Sequence, residues 1–180
     1  TGNSIRVRSR NISNTGDVFV NAGDIRLTAR DGGAISLGAD MTATRAGITL
    51  DGVTTLTNDV TLTLDGGTFI DATGVVLSRS GLFHDLTLNA AGGVVTLAGG
   101  IGDTGDQRLG NLDADAGLVR VGGDVRVAGD MTFDAPVAVF GDSVTFHTGL
   151  GTALFTGNVY AETYGGSDVA FEYDGDAWAG

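Results

Sequence analysis

The chain has 180 residues, with 31 Gly, one Pro, no Cys and a net charge of −12, and all ten basic residues are Arg. This balance argues against a nucleic-acid surface, which needs clustered cations, and against an anionic membrane surface. The lack of Cys excludes disulfides, zinc–thiolate sites and thiol catalysis. No window approaches the roughly 18 apolar residues of a membrane span, and no targeting peptide is visible.

Short strand-like runs follow one another along the chain, and no window has the apolar spacing of a helix. In chain order the runs are SIRVRS, DVFVNA, DIRLTA, GAISLGA, GITLDG, DVTLTLDGG, GVVLSRSG, DLTLNA, GVVTLAGG, GLVRVGG, DVRVAGD, DMTFDA, DSVTFHTG and DVAFEYDG. Most are bounded by Gly-Asp or Asp-Gly. A sandwich usually has longer strands, with turn signals about 8–12 residues apart. The pattern therefore favours short strands joined by tight corners, as in a β-solenoid.

Two internal repeats support this interpretation. GAISLGADMT at 33–42 aligns with GDVRVAGDMT at 123–132, an offset of 90 residues. LTLNAAGGVVTLAGGI at 86–101 resembles LDADAGLVRVGGDV at 112–125, an offset near 24 to 26. Both offsets fit coils of roughly 20–26 residues, a recognised solenoid length. We predict an all-β chain in which each coil pairs with the next at about 4.8 Å.

Alternation of side chains in a strand separates inward apolar residues from outward polar ones. The predicted inward residues are Ile35, Leu37, Ile48, Leu50, Leu62, Leu64, Leu86, Leu88, Val95, Leu97, Val119, Val121, Val125, Val127, Val144 and Phe146. We expect residues 1–150 to form coils and residues 151–180 to form a terminal coil, cap or junction to a following module of a longer chain. All three Tyr and the only Trp (Tyr160, Tyr164, Tyr173 and Trp178) lie in this last segment, which favours a cap over an aromatic ligand patch.

The alternation of VTL and LTLNA strands with AGG, GGI and GD turns resembles the repeat regions of filamentous-haemagglutinin-type exoproteins and related autotransporter passengers of Gram-negative bacteria. Residues 86–117 carry the closest resemblance, within a likeness that covers about 16–148. The resemblance implies a right-handed parallel β-helix, secretion, and a structural or adhesive role at the cell surface.

Charge is distributed unevenly between the two ends of the chain. Residues 1–45 contain six Arg and four Asp, whereas residues 46–180 contain four Arg and 18 acidic residues. Arg6, Arg8 and Arg10 share one parity and are expected on one outward face, either as a solvated surface or as half of a head-to-tail contact. The acidic partners of such a contact would be Glu162, Asp168, Glu172, Asp174 and Asp176. Contacts of this heterologous kind form open filaments.

A turn-rich segment at 102–117 contains four carboxylates that are candidate calcium ligands, namely Asp103, Asp106, Asp113 and Asp115. Clustered carboxylates suit Ca²⁺, but the segment matches neither an EF-hand nor the GGxGxD calcium repeat. A protruding polar loop with a recognition role is the favoured interpretation, and we expect no cofactor.

The histidines and the outward threonines have simpler interpretations than catalysis or binding. His84 and His147 lie outside any catalytic motif and are expected at the surface or at corners. Outward Thr61 and Thr63 would form a flat threonine array only if Thr recurred in register, and the expected equivalents Ser36, Arg26, Arg120 and Arg126 interrupt it. We therefore expect no enzyme; the alternative is a fragment of a carbohydrate-active β-helix enzyme, a lyase or hydrolase.

The sequence thus predicts a rod-like structural or adhesive segment outside the cell, at the surface of a Gram-negative bacterium. Its expected partners are like modules or copies of itself stacked end to end, and glycans or proteins of a host or neighbouring cell surface. Neither nucleic-acid binding nor membrane insertion is expected.

Overall fold

The computed structural model describes residues 4–162 and 167–174. These residues form no helix, and their strands pair in parallel as a β-solenoid of about eight turns. The predicted fold class is therefore confirmed. In the same residues no helix is long and apolar enough to cross a membrane.

Each turn has three faces, and the chain passes from face one to face two to face three before the next turn begins. Face one contains β1 (Ile5–Ser9), β4 (Ile25–Ala29), β7 (Gly47–Asp51), β10 (Phe69–Ala72), β16 (Val137–Val139) and β19 (Val159–Ala161). Face two contains β2 (Ile12–Asn14), β5 (Ala34–Leu37), β8 (Val53–Leu56), β11 (Val76–Ser78), β14 (Val125–Val127), β17 (Ser143–Thr148) and β20 (Asp168–Tyr173). Face three contains β3 (Val18–Val20), β6 (Met41–Thr44), β9 (Val60–Asp65), β15 (Met131–Asp134) and β18 (Ala153–Phe155). Two longer strands, β12 (Leu86–Leu97) and β13 (Leu112–Val121), continue from face three into face one.

The length of a turn varies with the corners that join its strands. Equivalent residues are 26 positions apart between Leu62 and Leu88, but only 18 apart between Val119 and Val137. The shortest turn therefore falls below the predicted range. Strands β18, β19 and β20 continue the same stack, so the boundary expected at residue 150 lies between β17 and β18.

The shorter internal repeat corresponds to two neighbouring turns. Leu86 pairs with Leu112, an offset of 26, and Val95 pairs with Val119, an offset of 24. The offset changes because β12 has extra residues at the bend between Ala90 and Val94.

The longer repeat is in register over only part of its length. Ile35 and Val125 occupy one column, four turns apart, through the pairings Ile35–Thr54, Thr54–Val76, Val76–Ile101 and Ile101–Val125. Met41 and Met131 do not share a column, although the alignment matches them. Met41 pairs with Leu62, whereas the column of Met131 continues through Leu112 and Leu86 to Val60.

The interior consists of apolar columns that run the length of the stack. All of the predicted inward residues are buried, and Ile35, Val119 and Val144 have 0% exposure. Each such side chain contributes about 1.5–3 kcal/mol through removal from water. Near the C-terminal end the columns become aromatic: Phe133 stacks on Phe155 with ring centroids 5.1 Å apart.

Glycines occupy the corner between face one and face two because neighbouring turns approach closely there. A Cβ on Gly74 would lie 2.5 Å from the carbonyl carbon of Gly52. A Cβ on Gly123 would lie 2.9 Å from the same atom of Gly99. A side chain at Gly74 or Gly123 is therefore excluded for steric reasons.

A column of Asp and Asn side chains, here called the Asx column, runs along the corner before face three. Each side-chain oxygen accepts a hydrogen bond from a backbone N–H one turn further along. The pairs are Asp17 Oδ1 with Asp40 N (3.3 Å), Asp40 Oδ1 with Thr61 N (2.8 Å), Asp59 Oδ1 with Asp85 N (3.0 Å), Asp85 Oδ1 with Asn111 N (2.7 Å), Asn111 Oδ1 with Asp130 N (2.7 Å) and Asp130 Oδ1 with Thr152 N (2.7 Å). Five of the 22 acidic residues thus satisfy backbone amides at or near the start of strands.

The close approach at the glycine corner can be tested with Gly74→Ala. We expect it to lower the free energy of unfolding by about 1–3 kcal/mol, because the methyl group forces two turns apart. The control is Gly16→Ala, where nothing lies within 4 Å of the new Cβ and the change should stay within about 0.5 kcal/mol. Urea unfolding followed by circular dichroism measures both; equal effects would contradict the steric role.

The Asx column can be tested at Asp85, whose Oδ1 accepts hydrogen bonds from the backbone N and from Nδ2 of Asn111. We expect Asp85→Ala to destabilise the fold by about 1–2 kcal/mol through loss of these bonds. Asp113→Ala is the matched control, because Asp113 is exposed and its side chain has no hydrogen bond or ion pair in the described part of the chain. If both variants unfold at the same urea concentration, the column contributes nothing.

Candidate functional site: the two open ends of the solenoid

The first turn leaves apolar core residues uncovered at the N-terminal end. Ile5 and Val7 are 38% and 37% exposed, whereas Ile25 and Leu27, their neighbours in the next turn, are 1% and 5% exposed. A hollow of about 340 Å³ opens here, with apolar lining from Ile5, Val7, Ile12, Val18, Leu27 and Met41. The core columns thus reach solvent at this end.

The last turn leaves the aromatic part of the core uncovered at the opposite end. Phe171 stacks on Phe146 at a centroid distance of 5.6 Å, yet remains 59% exposed. A hollow of about 530 Å³ lies beside these two rings, and Leu150 and Tyr173 also line it. Tyr160 is 45% exposed on β19, while Tyr164 and Trp178 lie outside the described residues.

The terminal strands also present one free edge each. β1 pairs only with β4, β2 only with β5, β19 only with β16, and β20 only with β17, among the strands of residues 4–162 and 167–174. An unpaired strand edge exposes backbone N–H and C=O groups that can bind a further strand. Both ends therefore combine open edges with uncovered apolar side chains.

The N-terminal end carries the three arginines that were singled out from the sequence. Arg6 and Arg8 lie in β1 with their neighbours Ile5 and Val7 turned to the core, whereas Arg10 follows the end of the strand at a bend. Arg6 contacts Asp24 at 3.5 Å. Arg8 and Arg10 form no ion pair within the part of the chain that the structure describes, so both charges are available to a partner.

The acidic residues expected at the opposite end lie there, but several already contact cations of the same chain. Glu162 accepts a hydrogen bond from Nε of Arg120 at 3.0 Å, which raises the pKa of that guanidinium. Glu172 lies 3.7 Å from Arg126. Asp168 has no side-chain partner among the described residues, and Asp176 lies outside them.

Asp174 joins the last turn to the body of the rod. It contacts Nη1 of Arg108 at 2.6 Å and Nε2 of His147 at 2.8 Å. Hydrogen bonds from Arg108, then from His147, lower the pKa of Asp174 from its ordinary value. His147 is buried, with 7% of its side chain exposed, so its expected surface location is wrong. Nothing in the local sequence signals this cluster, because residues from three turns converge there.

The four candidate calcium ligands are not brought together. Asp103 accepts hydrogen bonds from the backbone N of Gly105 and Gln107 at 2.8 and 3.2 Å, and Asp106 contacts Ser80. Asp113 and Asp115 instead lie in β13 on face three, so the prediction that all four belong to one turn-rich polar loop was wrong. Across residues 4–162 and 167–174, no group of three or more His, Cys, Asp or Glu side chains is placed to hold a metal ion.

The outward threonines lie in columns other than those expected from the sequence. Thr61 pairs with Thr87, and Thr63 pairs with Thr42 and Asn89. The expected equivalents Ser36, Arg26, Arg120 and Arg126 occupy faces one and two, so that alignment was wrong. The threonine rows are nevertheless interrupted, because Asp113 and Asp115 follow Thr87 and Asn89 in the next turn.

Comparison with known proteins provides no relative. No protein-family model, no curated protein and no solved structure matches the chain. The geometry of the rod and of its ends is therefore the basis for inferring its function.

The contact of Asp174 with Arg108 and His147 can be tested by amide hydrogen exchange. We expect Asp174→Asn to reduce the protection of β20 amides, because the carboxylate that holds the last turn is lost. Because the pKa of Asp174 is lower in the folded state, this stabilisation is present above its unfolded pKa, near 3.8. It disappears as the pH falls through the pKa of Asp174 in the folded state. The effect should therefore be full at neutral pH.

Asp168→Asn is the matched control for this experiment, because it removes a charge from the same strand without a side-chain partner. Its β20 amides should exchange at the wild-type rate. Equal loss of protection in both variants would show that net charge, and not the contact of Asp174, governs the last turn.

Proposed function

We propose that the chain is a structural and adhesive rod segment of a secreted or cell-surface protein from a Gram-negative bacterium, and that rods stack end to end. The observation that carries this proposal is the exposure of core columns at both ends, with Phe171 at 59% and Ile5 at 38%. Burial of such residues against another turn is favourable at about 25 cal/mol per Å².

The body of the rod is suited to act as a spacer that holds its own loops away from the cell. Each turn is hydrogen-bonded to the next along parallel strands, and eight turns at about 4.8 Å give a length of roughly 35–40 Å. Because the turns share continuous core columns, bending one turn against another would break both packing and hydrogen bonds.

A pair of corner loops supports the adhesive part of the proposal. Leu82 and Phe83 are 53% and 43% exposed in the loop between β11 and β12. The backbone N of Gly81 donates to the carbonyl of Asp106 in the loop of the following turn, at 2.9 Å. Exposed apolar residues on a loop that a neighbouring loop holds in place favour recognition of a protein or glycan surface.

The resemblance of residues 86–117 to filamentous-haemagglutinin-type repeats supports the extracellular location. In the rod this segment contributes β12 and β13, which form neighbouring turns. We also propose that the chain belongs to a secreted bacterial exoprotein and has no catalytic activity.

End-to-end assembly can be tested by electron microscopy and sedimentation velocity of the 180-residue chain. We expect rods longer than one molecule at low salt and shorter ones at high salt, because exposed charges are screened. Arg8/Arg10→Ser should shift the population towards monomer, since it removes the two unpaired charges of the N-terminal end.

Arg45/Arg79→Ser is the control, because it removes the same charge from exposed positions away from the terminal turns. Its assembly should match that of the wild type. Monomers at every salt concentration, or assembly unaffected by Arg8/Arg10→Ser and by salt, would contradict the proposal.

A further inference from the structure

The columns of the rod define which residues of two copies would meet in an end-to-end contact. On face one, Val159 and Ala161 continue the columns that begin at Ile5 and Val7. On face two, Phe171 continues the column that begins at Ile12. A turn added in the same register would therefore place β1 on β19 and β2 on β20.

We propose that a second copy of this chain docks its first turn onto the last turn in this register. The inference rests on the proposed end-to-end assembly and adds its partner and its residue pairs. The apolar pairs would be Val159 with Ile5, Ala161 with Val7, and Phe171 with Ile12 of the second copy. All three continue columns that are buried within the rod, so on faces one and two the docked turn would bury its apolar residues as an interior turn does.

Charge complementarity supports this register on face one. Arg8 follows Val7 and Glu162 follows Ala161, so Arg8 of the second copy would lie directly beside Glu162. Arg120 already orients this carboxylate through hydrogen bonds from Nε to Oε1 and Oε2 at 3.0 and 3.1 Å. A second guanidinium would complete a carboxylate held between two cations. A shift of the register by two residues would bring Arg6 or Arg10 to the same place, so the register is fixed by the apolar pairs, and the arginine contact adds to the affinity.

A second outward pair favours the same alignment. Arg6 of the second copy would lie beside Tyr160, whose ring is exposed on β19. Arg guanidinium groups bind aromatic faces favourably. The eighth turn has strands on faces one and two only within the described residues, so the proposed contact uses those two faces.

The lack of cysteine in the chain allows the register to be read by disulfide trapping. In the double variant Arg6→Cys/Tyr160→Cys, the new thiols would oppose each other at a Cα distance of about 4.8 Å, within the range of about 4.4–6.8 Å for disulfides. Because each copy then has one Cys at each end, mild oxidation should give a ladder of covalent polymers on a non-reducing gel.

Two controls separate the register from chance collisions. Arg6→Cys/Asn158→Cys shifts one thiol by two residues, to a Cα distance of about 7–8 Å, leaves Arg8 and Glu162 in place, and should give little ladder. Tyr160→Cys alone should give dimers at most. Unchanged thermal unfolding of each variant will show that the rods are folded.

Arg8→Glu, introduced into the Arg6→Cys/Tyr160→Cys chain, tests the charge pair. We expect the polymer yield to fall about tenfold, equivalent to about 1.4 kcal/mol, because Glu162 would then face a like charge. Arg45→Glu in the same background, which makes the same change of charge away from the ends, should leave the yield unchanged.

The outcomes of these experiments test the register separately from the proposed end-to-end assembly. A ladder from Arg6→Cys/Tyr160→Cys, lost with the shifted pair, supports the register. Filaments in the microscope without that ladder, or with a ladder from the shifted pair, overturn the register and leave end-to-end assembly standing. Neither filaments nor ladder would overturn both.

Discussion

Parallel pairing between successive turns is the interaction on which the rest of the structure depends. Most strands of the interior turns are hydrogen-bonded to a strand in the turn before and to one in the turn after, and on face two β11 and β14 are linked through isolated bridges to Ile101. Buried backbone groups must be paired, so a turn without neighbours is unstable and a turn with one neighbour has a free edge. The continuous stack of turns and the free edges of β1, β2, β19 and β20 both follow from this one requirement.

The residues at the corners allow neighbouring turns to come close enough to pair. Glycine allows neighbouring turns to approach at one corner, and the Asx column supplies acceptors for strand-initiating amides at another. The net charge of −12 is therefore partly structural, since many carboxylates bind backbone N–H groups of the rod. The acidity of the chain then says less about external partners than its composition suggests.

The ends differ from each other as well as from the interior. The first turn exposes aliphatic residues and unpaired arginines, and the last exposes aromatic residues beside carboxylates that arginines already orient. This polarity favours a heterologous contact, because two identical ends would bring like charges together.

The sequence by itself determined the fold class, the inward residues and the approximate length of a turn, because alternation along a strand is a local property of the backbone. Which outward residues become neighbours was decided only by the tertiary structure, since register depends on the number of residues in every corner. Met41 and Met131 lie in different columns because corner lengths differ between turns. Asp113 and Asp115 lie on a strand and not in the loop of Asp103. His147 is buried where residues distant in the sequence converge. The alternation of residues within a strand does not reveal how long each corner is, and the corner lengths decide where these side chains lie.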